Sequence, residues 1–199
     1  MQDQLPSWLP LTLGLIFVGA TALRSVMLRV HDGINPYAID HSRPLELFLQ
    51  RIFVASTTTL LLFFMALALS LEIIVLLETG PAPYVVQIIG FALMVIAIGW
   101  TSYSQLSMGS SWRIGVPTVG APTLFKTHGP FQLSRNPIFL GMLTFLVGTA
   151  LWLPNELTVA VLVASYIAIE IQIRIEEAFL EGAHGEEYRR YQRRVRRWL

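Results

Sequence analysis

The residues best equipped for chemistry in this chain sit in one short run, Thr127-His128-Gly129-Pro130-Phe131-Gln132-Leu133-Ser134-Arg135-Asn136-Pro137-Ile138-Phe139-Leu140-Gly141. Gly129-Pro130 makes a turn. Asn136-Pro137 opens a helix, with proline where its missing N–H costs nothing. The first N–H groups of that helix are free and point forward. His128, Arg135 and Asn136 add side-chain donors, and Phe131 and Phe139 add flat apolar faces. Such a run suits a binding site at a membrane border; it also suits an ordinary cytoplasmic loop with a helix start. A second group lies downstream. Glu170, Arg174 and Glu177 are spaced i, i+4, i+7 and share one helix face, with Glu176 turned to another side. Adjacent carboxylates there can bind a cation, pair with Arg135 or simply be solvated. Glu170 stands among Ile167, Ile169, Ile171 and Ile173 at the edge of hydrocarbon, where an ionisable residue is a functional candidate by default.

Other chemistries find no support. The chain has no cysteine, so it offers no disulfide, no thiolate nucleophile and no cysteine metal site. Its four histidines are scattered without His-Glu-x-x-His spacing, and no metal site is expected. There is no Gly-x-Gly-x-x-Gly run or phosphate loop. The arginine cluster near the carboxy terminus, beside so much apolar sequence, reads as membrane-associated rather than as a nucleic-acid site.

The elements that must position these residues are hydrophobic helices. Of 199 residues 54% are hydrophobic and only 14% charged, against about 25% in a soluble domain. Trp8 to about Leu23 reads as an uncleaved first span; Ala20-Thr21-Ala22 resembles a cleavage site, but no basic residue precedes the apolar tract. Residues 24–51 read as a loop broken by Gly33, Asn35-Pro36 and Pro44, one reading of which has a short helix running from Pro44 into the second span. The further spans are expected at Ile52–Leu71, Tyr84–Tyr103, Ile138–Leu153 and Leu157–Ile173. Glu72 would end the second, and Thr79-Gly80-Pro81-Ala82-Pro83 would connect it tightly to the third. Gly90 and Gly99 in the third span would admit a close neighbour. Pro154-Asn155 would fold the last two spans into an antiparallel hairpin, the fifth helix continuing toward Gly182. The tail Gly185–Trp198 places Tyr188, Tyr191, Val195 and Trp198 at helical spacing with arginines around them. It is expected to lie as an amphipathic helix on anionic lipid of the cytoplasmic leaflet.

The charges then fall into order. Every lysine and arginine lies in the first connection, the third connection or the carboxy-terminal tail. With five spans these share one side, which the positive-inside rule makes cytoplasmic, leaving the amino terminus outside. The expectation is an all-α integral membrane protein. Residues 1–104 would form a three-span region. Residues 105–199 would hold the polar loop, the helical hairpin and the carboxy-terminal interfacial helix.

Two blocks become recognisable together: His128-Gly129-Pro130-Phe131 with Ser134-Arg135-Asn136-Pro137-Ile138-Phe139-Leu140-Gly141, and Glu176-Glu177 with Leu180, Gly185-Glu186-Glu187-Tyr188, Tyr191 and Arg194-Val195. Their order and spacing resemble the isoprenylcysteine carboxyl methyltransferase family, which shares this pattern with phospholipid N-methyltransferases. The resemblance covers roughly Ser107 to the end. It implies a membrane methyltransferase that uses S-adenosylmethionine, bound on the cytosolic side between the loop before span four and the segment after span five. Carried over, His128, Gly129, Phe131, Asn136, Pro137, Phe139 and Gly141 would line the cofactor pocket, Glu176 and Glu177 would close it, and Arg135 would sit near the methyl acceptor. The chain departs from the pattern at Asn136, where the family often has histidine, so no titratable group stands there. Phe131 and Phe139 replace frequent tyrosines, and Val195-Arg196 replaces Val-Pro.

The implied chemistry suits these residue types. A sulfonium cation is attracted by carboxylates and aromatic faces. A carboxylate acceptor, as in a prenylcysteine, is already ionised, and an arginine fork such as Arg135 could hold it. A phospholipid amine or small thiol would have to lose a proton, and then Glu170 or a carboxylate near Glu177 would be asked to help. A lipophilic acceptor would enter from the bilayer. The competing readings are a sterol-type NADPH reductase, which needs a site for an extra phosphate, and a non-catalytic scaffold gathering lipid on its basic tail.

Overall fold

The computed structural model describes residues 4–37, 43–71, 82–115 and 125–199. Glu72 and the Thr79-Gly80-Pro81 part of the expected tight connection lie outside them. Among the described residues six α-helices follow one another: α1 Leu9–His31, α2 Pro44–Ala68, α3 Tyr84–Met108, α4 Pro137–Trp152, α5 Glu156–His184 and α6 Glu186–Arg194. A short 3-10 turn, Gly129–Gln132, precedes α4. Outside helices, the described backbone pairs at one isolated parallel bridge, Tyr37 with Ile114.

α1, α2, α3 and α5 are long and apolar enough to cross a membrane, and the chain is an integral membrane protein. α4 is apolar but only 16 residues long. At 1.5 Å per residue it reaches about 24 Å, less than a hydrocarbon core of about 30 Å. Of the five expected spans, four are long helices, and the fourth in order, expected to be a short one, is α4. α1 also outruns its expected limit. α1 runs through Arg24 and Arg29 because Arg24 Nη2 donates to the Gly109 carbonyl at 2.6 Å, which gives a charge near the apolar tract a fixed partner. α2 starts at Pro44, with Pro at its first turn and Arg43 paired to Glu46 at 2.9 Å.

α3 and α4 form the tightest seam. A Cβ on Gly90 would come within 2.6 Å of the Gly148 carbonyl oxygen, and one on Gly148 within 2.7 Å of Gly90's. The two backbones thus touch where both lack a side chain. Gly99, expected to serve the same purpose, has nothing within 4 Å of its Cβ position. Around the seam Leu13, Met94, Ala97, Phe145 and Trp152 make one buried cluster. Phe17 stacks on Phe145 with ring centroids 4.6 Å apart. Leu60, Phe63, Phe64 and Val161 make a second cluster between α2 and α5.

The α4–α5 hairpin is set by Asn155. Its side chain accepts from the Thr158 N–H at 3.0 Å, Thr158 Oγ1 accepts from the Asn155 N–H, and a capping box results. From that cap α5 runs 29 residues, about 44 Å, so its last turns project beyond the apolar layer. Gly185 ends it at φ +53°, a left-handed conformation that favours glycine, and sends the chain into α6.

Candidate functional site

The polar turn before α4 and the acidic end of α5 meet. Pro130 and Phe131 are buried in the 3-10 turn. Trp100 Nε1 donates to the Pro137 carbonyl at 2.8 Å and fixes the start of α4 against α3. Ser134 Oγ accepts from the Asn136 N–H at 3.1 Å. This geometry aims Arg135 at α5. Its Nη2 lies 2.8 Å from Glu177 Oε1 and its Nε 3.1 Å from the same oxygen. Both side chains are only 11% exposed.

The chain's tail closes over the pair. Past α6 it turns extended, and Arg135 Nη1 donates to the carbonyls of Gln192 at 3.2 Å and Val195 at 2.7 Å. The Arg135 N–H donates to the Arg196 carbonyl at 2.9 Å. Ser134 Oγ and Asn136 Nδ2 both donate to the Arg197 carbonyl. Arg197 Nη2 then pairs with Glu177 Oε2 at 2.7 Å and its Nη1 lies 3.6 Å from Glu170. Trp198 Nε1 donates to Glu170 Oε1 at 3.1 Å. A guanidinium has five N–H donors, and four of Arg135's are engaged by these partners. Two acids and two arginines from distant parts of the chain thus neutralise one another.

α6 completes the wall. Tyr188 and Tyr191 are buried. The Tyr191 hydroxyl donates to the Phe131 carbonyl at 2.6 Å, and burial pushes its pKa up to about 12. Burial and the nearby Glu177 carboxylate also push the Tyr188 phenol up. Phe125 meets Tyr188 edge-on with centroids 5.4 Å apart and lies 5.6 Å from the Tyr191 ring. The tyrosine face expected to rest on lipid is therefore turned into the protein. On the opposite face Glu186 bridges Arg189 and Arg193, at 2.9 and 2.6 Å.

These elements enclose a cavity of about 430 Å³, within the 300–1,000 Å³ usual for small-molecule sites. Of the candidate residues, Phe131, Arg135, Asn136, Pro137, Phe139, Glu176 and Glu177 line it. His128, Gly129, Gly141 and Glu170 are not among its walls. Gly141 packs against α3, where a Cβ would collide with Thr101 Oγ1. Gly129 takes φ +62° below Ser107 and Tyr103. His128 precedes the turn, its Nδ1 3.4 Å from Thr127 Oγ1. Glu170 is held by Trp198 and Arg197. Glu176 receives Gln172 Nε2 at 2.9 Å and has no arginine partner among the described residues. A second depression, between Gln50 and Thr59, is a single apolar face of α2 and encloses nothing.

Sequence reasoning missed Arg197 and Trp198 as partners of the acids. The spacing of the tail gave no sign of them, because the tail is gripped mainly through its backbone carbonyls. Tyr188 and Tyr191 were visible as an apolar stripe, but lipid and protein offer such a stripe the same burial.

Comparison with known proteins places this arrangement. Methanethiol S-methyltransferase of Crocosphaera subtropica is 39% identical over 77 residues, 37% of this chain and 28% of that protein. A probable protein-S-isoprenylcysteine O-methyltransferase of Oryza sativa subsp. indica is 39% identical over 70 residues, 35% of this chain and 37% of the rice protein. The matched stretches thus span about a third of these relatives. Among solved structures, the eukaryotic intramembrane Ras methyltransferase ICMT (isoprenylcysteine carboxyl methyltransferase) shares the fold with a TM-score of 0.57 at 21% identity, over 94% of this chain and 71% of that one. The phospholipid methyltransferase (PEMT) family model matches residues 85–187, from the start of α3 into α6 and so the helices and turn that build the cavity; with just over half of its length matched, the chain belongs to that family.

Proposed function

We propose that this chain transfers a methyl group from S-adenosylmethionine to a lipophilic acceptor at the cytosolic face of a membrane. The observation that carries the reading is the one cavity shared by the α4 start, the α5 exit and α6. Its donor set fits the cofactor. Glu176 offers a carboxylate without an arginine partner among the described residues, and Phe131, Phe139, Tyr188 and Tyr191 offer aromatic faces. Both attract a sulfonium, the rings by about 0.5–2 kcal/mol. Bound there, S-adenosylmethionine supplies an electrophilic methyl group.

The chain's own work is positioning. Holding donor and acceptor in line can account for about 7–11 kcal/mol of a displacement barrier. Arg135 and Glu177 act here as positioning residues, locking the α4 start, α5 and the tail into one rigid cup. A short α4 would suit a cup at the membrane border, where an apolar tail can stay in lipid while its reactive head reaches polar groups. A prenylcysteine-like carboxylate fits this arrangement and needs no base. A small thiol or a phospholipid amine is the second reading, favoured by Glu176, a carboxylate placed in the cavity without a guanidinium beside it. If all five apolar helices cross the membrane, every lysine and arginine falls toward one side of it, which supports a cytosolic cup.

Incubating detergent-purified protein with methyl-labelled S-adenosylmethionine and a panel of prenylcysteines, phospholipids and thiols tests the proposal. Label should appear in one class of acceptor. Titration calorimetry with S-adenosylhomocysteine should register binding; folded protein that binds none would end this reading.

A further inference from the structure

Arg135 was expected to hold an acceptor's carboxylate, yet four of its five N–H groups already serve Glu177, Gln192 and Val195. The cavity has two other cations, Arg113 and Lys126. Neither forms an ion pair with a described residue. Lys126 has no hydrogen-bond partner among them, and Arg113 uses only Nη1, which donates to the carbonyls of Ser110 at 2.6 Å and Trp112 at 2.8 Å.

Both cations are held in place although neither is on a helix. Trp112, beside Arg113, is buried. On its other side the Ile114 N–H donates to the Pro36 carbonyl at 2.7 Å, and Ile114 pairs with Tyr37 across the parallel bridge. Lys126 follows Phe125, which is fixed against Tyr188, Tyr191 and the His184 ring, its centroid 4.8 Å from the last. A long cation costs less to immobilise when its backbone is already anchored. The cavity is thus bipolar. α5 contributes the Glu176 carboxylate, and the segments after α3 and before the turn contribute uncompensated positive charge.

We propose that Arg113 and Lys126 form a carboxylate-binding subsite of this cavity. The carboxylate has two possible sources: the methionyl end of the cofactor, or an acceptor that presents a free carboxylate. The inference rests on the methyltransferase reading above and assigns the recognition step to residues which that reading leaves unused.

The test uses the full chain in detergent, with Lys126→Gln and Arg113→Gln alone and together, and thermal melting to establish folding. Lys126→Gln removes no contact within the described protein and serves as the variant least able to disturb the fold. The first arm is calorimetry with S-adenosylhomocysteine and with its decarboxylated analogue. If the cofactor is the source, each variant weakens S-adenosylhomocysteine about tenfold or more, as expected for a lost charge-assisted hydrogen bond. The decarboxylated analogue then binds parent and variants alike, and Lys126→Arg restores affinity. The second arm is binding of a prenylcysteine and its carboxamide. If the acceptor is the source, only the free acid loses affinity in the variants. Variants that match a binding-competent parent in both arms would overturn the subsite alone. A parent that binds no S-adenosylhomocysteine would overturn the methyltransferase reading and the subsite with it.

Discussion

Replacing Glu177 by alanine should be among the most damaging changes in the chain. Glu177 accepts from Arg135 Nε and Nη2 through one oxygen and from Arg197 Nη2 through the other, and only 11% of its side chain is exposed. Removing it leaves two guanidinium groups facing each other across a small void. Breaking a buried ion pair from one side costs about 3–5 kcal/mol, because the remaining charge stays buried without its counter-charge. Here the lower end applies. Arg135 keeps the Gln192 and Val195 carbonyls, and Arg197 is 31% exposed and can reach water or Glu170. The expected loss is therefore about 3 kcal/mol, several times the ~1 kcal/mol ceiling of a surface pair. Denaturant-titrated unfolding in detergent reads it, followed by tryptophan fluorescence, because Trp198 is linked to Glu177 by three polar contacts, through Glu170 and Arg197. A double cycle with Arg135→Gln and Glu177→Gln should show coupling of about 1–3 kcal/mol, the double variant being less impaired than the sum of the singles. Loss below about 1 kcal/mol for Glu177→Ala, or strict additivity in the cycle, would refute the view that this pair holds the cup together.

Other changes separate packing from site effects. Gly148→Ala should destabilise by about 1–3 kcal/mol, since its Cβ has no room against the Gly90 carbonyl. Gly99→Ala, facing open space, should be neutral or gain up to about 1 kcal/mol of helix propensity, and thermal melting distinguishes the two. Tyr191→Phe strips the Phe131 carbonyl of its donor and should cost about 1–3 kcal/mol. It should also change the alkaline limb of stability. The native phenol titrates near 12 rather than 10, so its contribution is complete below pH 10 and falls away as pH climbs toward 12. Unfolding curves at pH 8 to 11.5 should decline less steeply for Tyr191→Phe. Trp198→Phe removes the indole donor to Glu170 and should cost about 1.5 kcal/mol in the same unfolding assay.

What could be read from the residues follows from which forces leave a mark on sequence. The apolar helices are plain because burial in lipid demands unbroken hydrophobic runs, and the α4–α5 hairpin because Pro154-Asn155 interrupts one. The encounter of the 127–141 turn with Glu176-Glu177 is what the resemblance of the two blocks to the methyltransferase family implies; the residues alone leave pairing with Arg135 as one of several readings. Helix ends were less legible. Arg24 looks like the end of a span, but a carbonyl 85 residues away keeps it inside the helix. Gly99 looks like Gly90, and only the path of α4 tells them apart. The tail was misread most, since the carbonyls of Gln192, Val195, Arg196 and Arg197 do the gripping and a carbonyl belongs to every residue alike.

The charged groups that stand out most in the sequence are largely occupied with each other. Glu170, Glu177, Arg135 and Arg197 form one ionic lattice, its Arg135–Glu177 heart buried and its Arg197 side reaching the surface, where Arg174 also pairs with Glu170 at 3.7 Å. The charges left for a ligand are the inconspicuous ones, Glu176 on α5 and Arg113 and Lys126 on segments between helices. An interfacial enzyme has reason for that division. On the function proposed above, its acceptor would arrive from lipid and its cofactor from water, so the boundary between them would have to hold its shape without a large soluble domain. If the paired arginines were instead the ligand-binding groups, each turnover would expose a buried carboxylate, at a cost of several kcal/mol. A preformed neutral frame with a separate bipolar cavity avoids that cost and leaves methyl transfer to positioning.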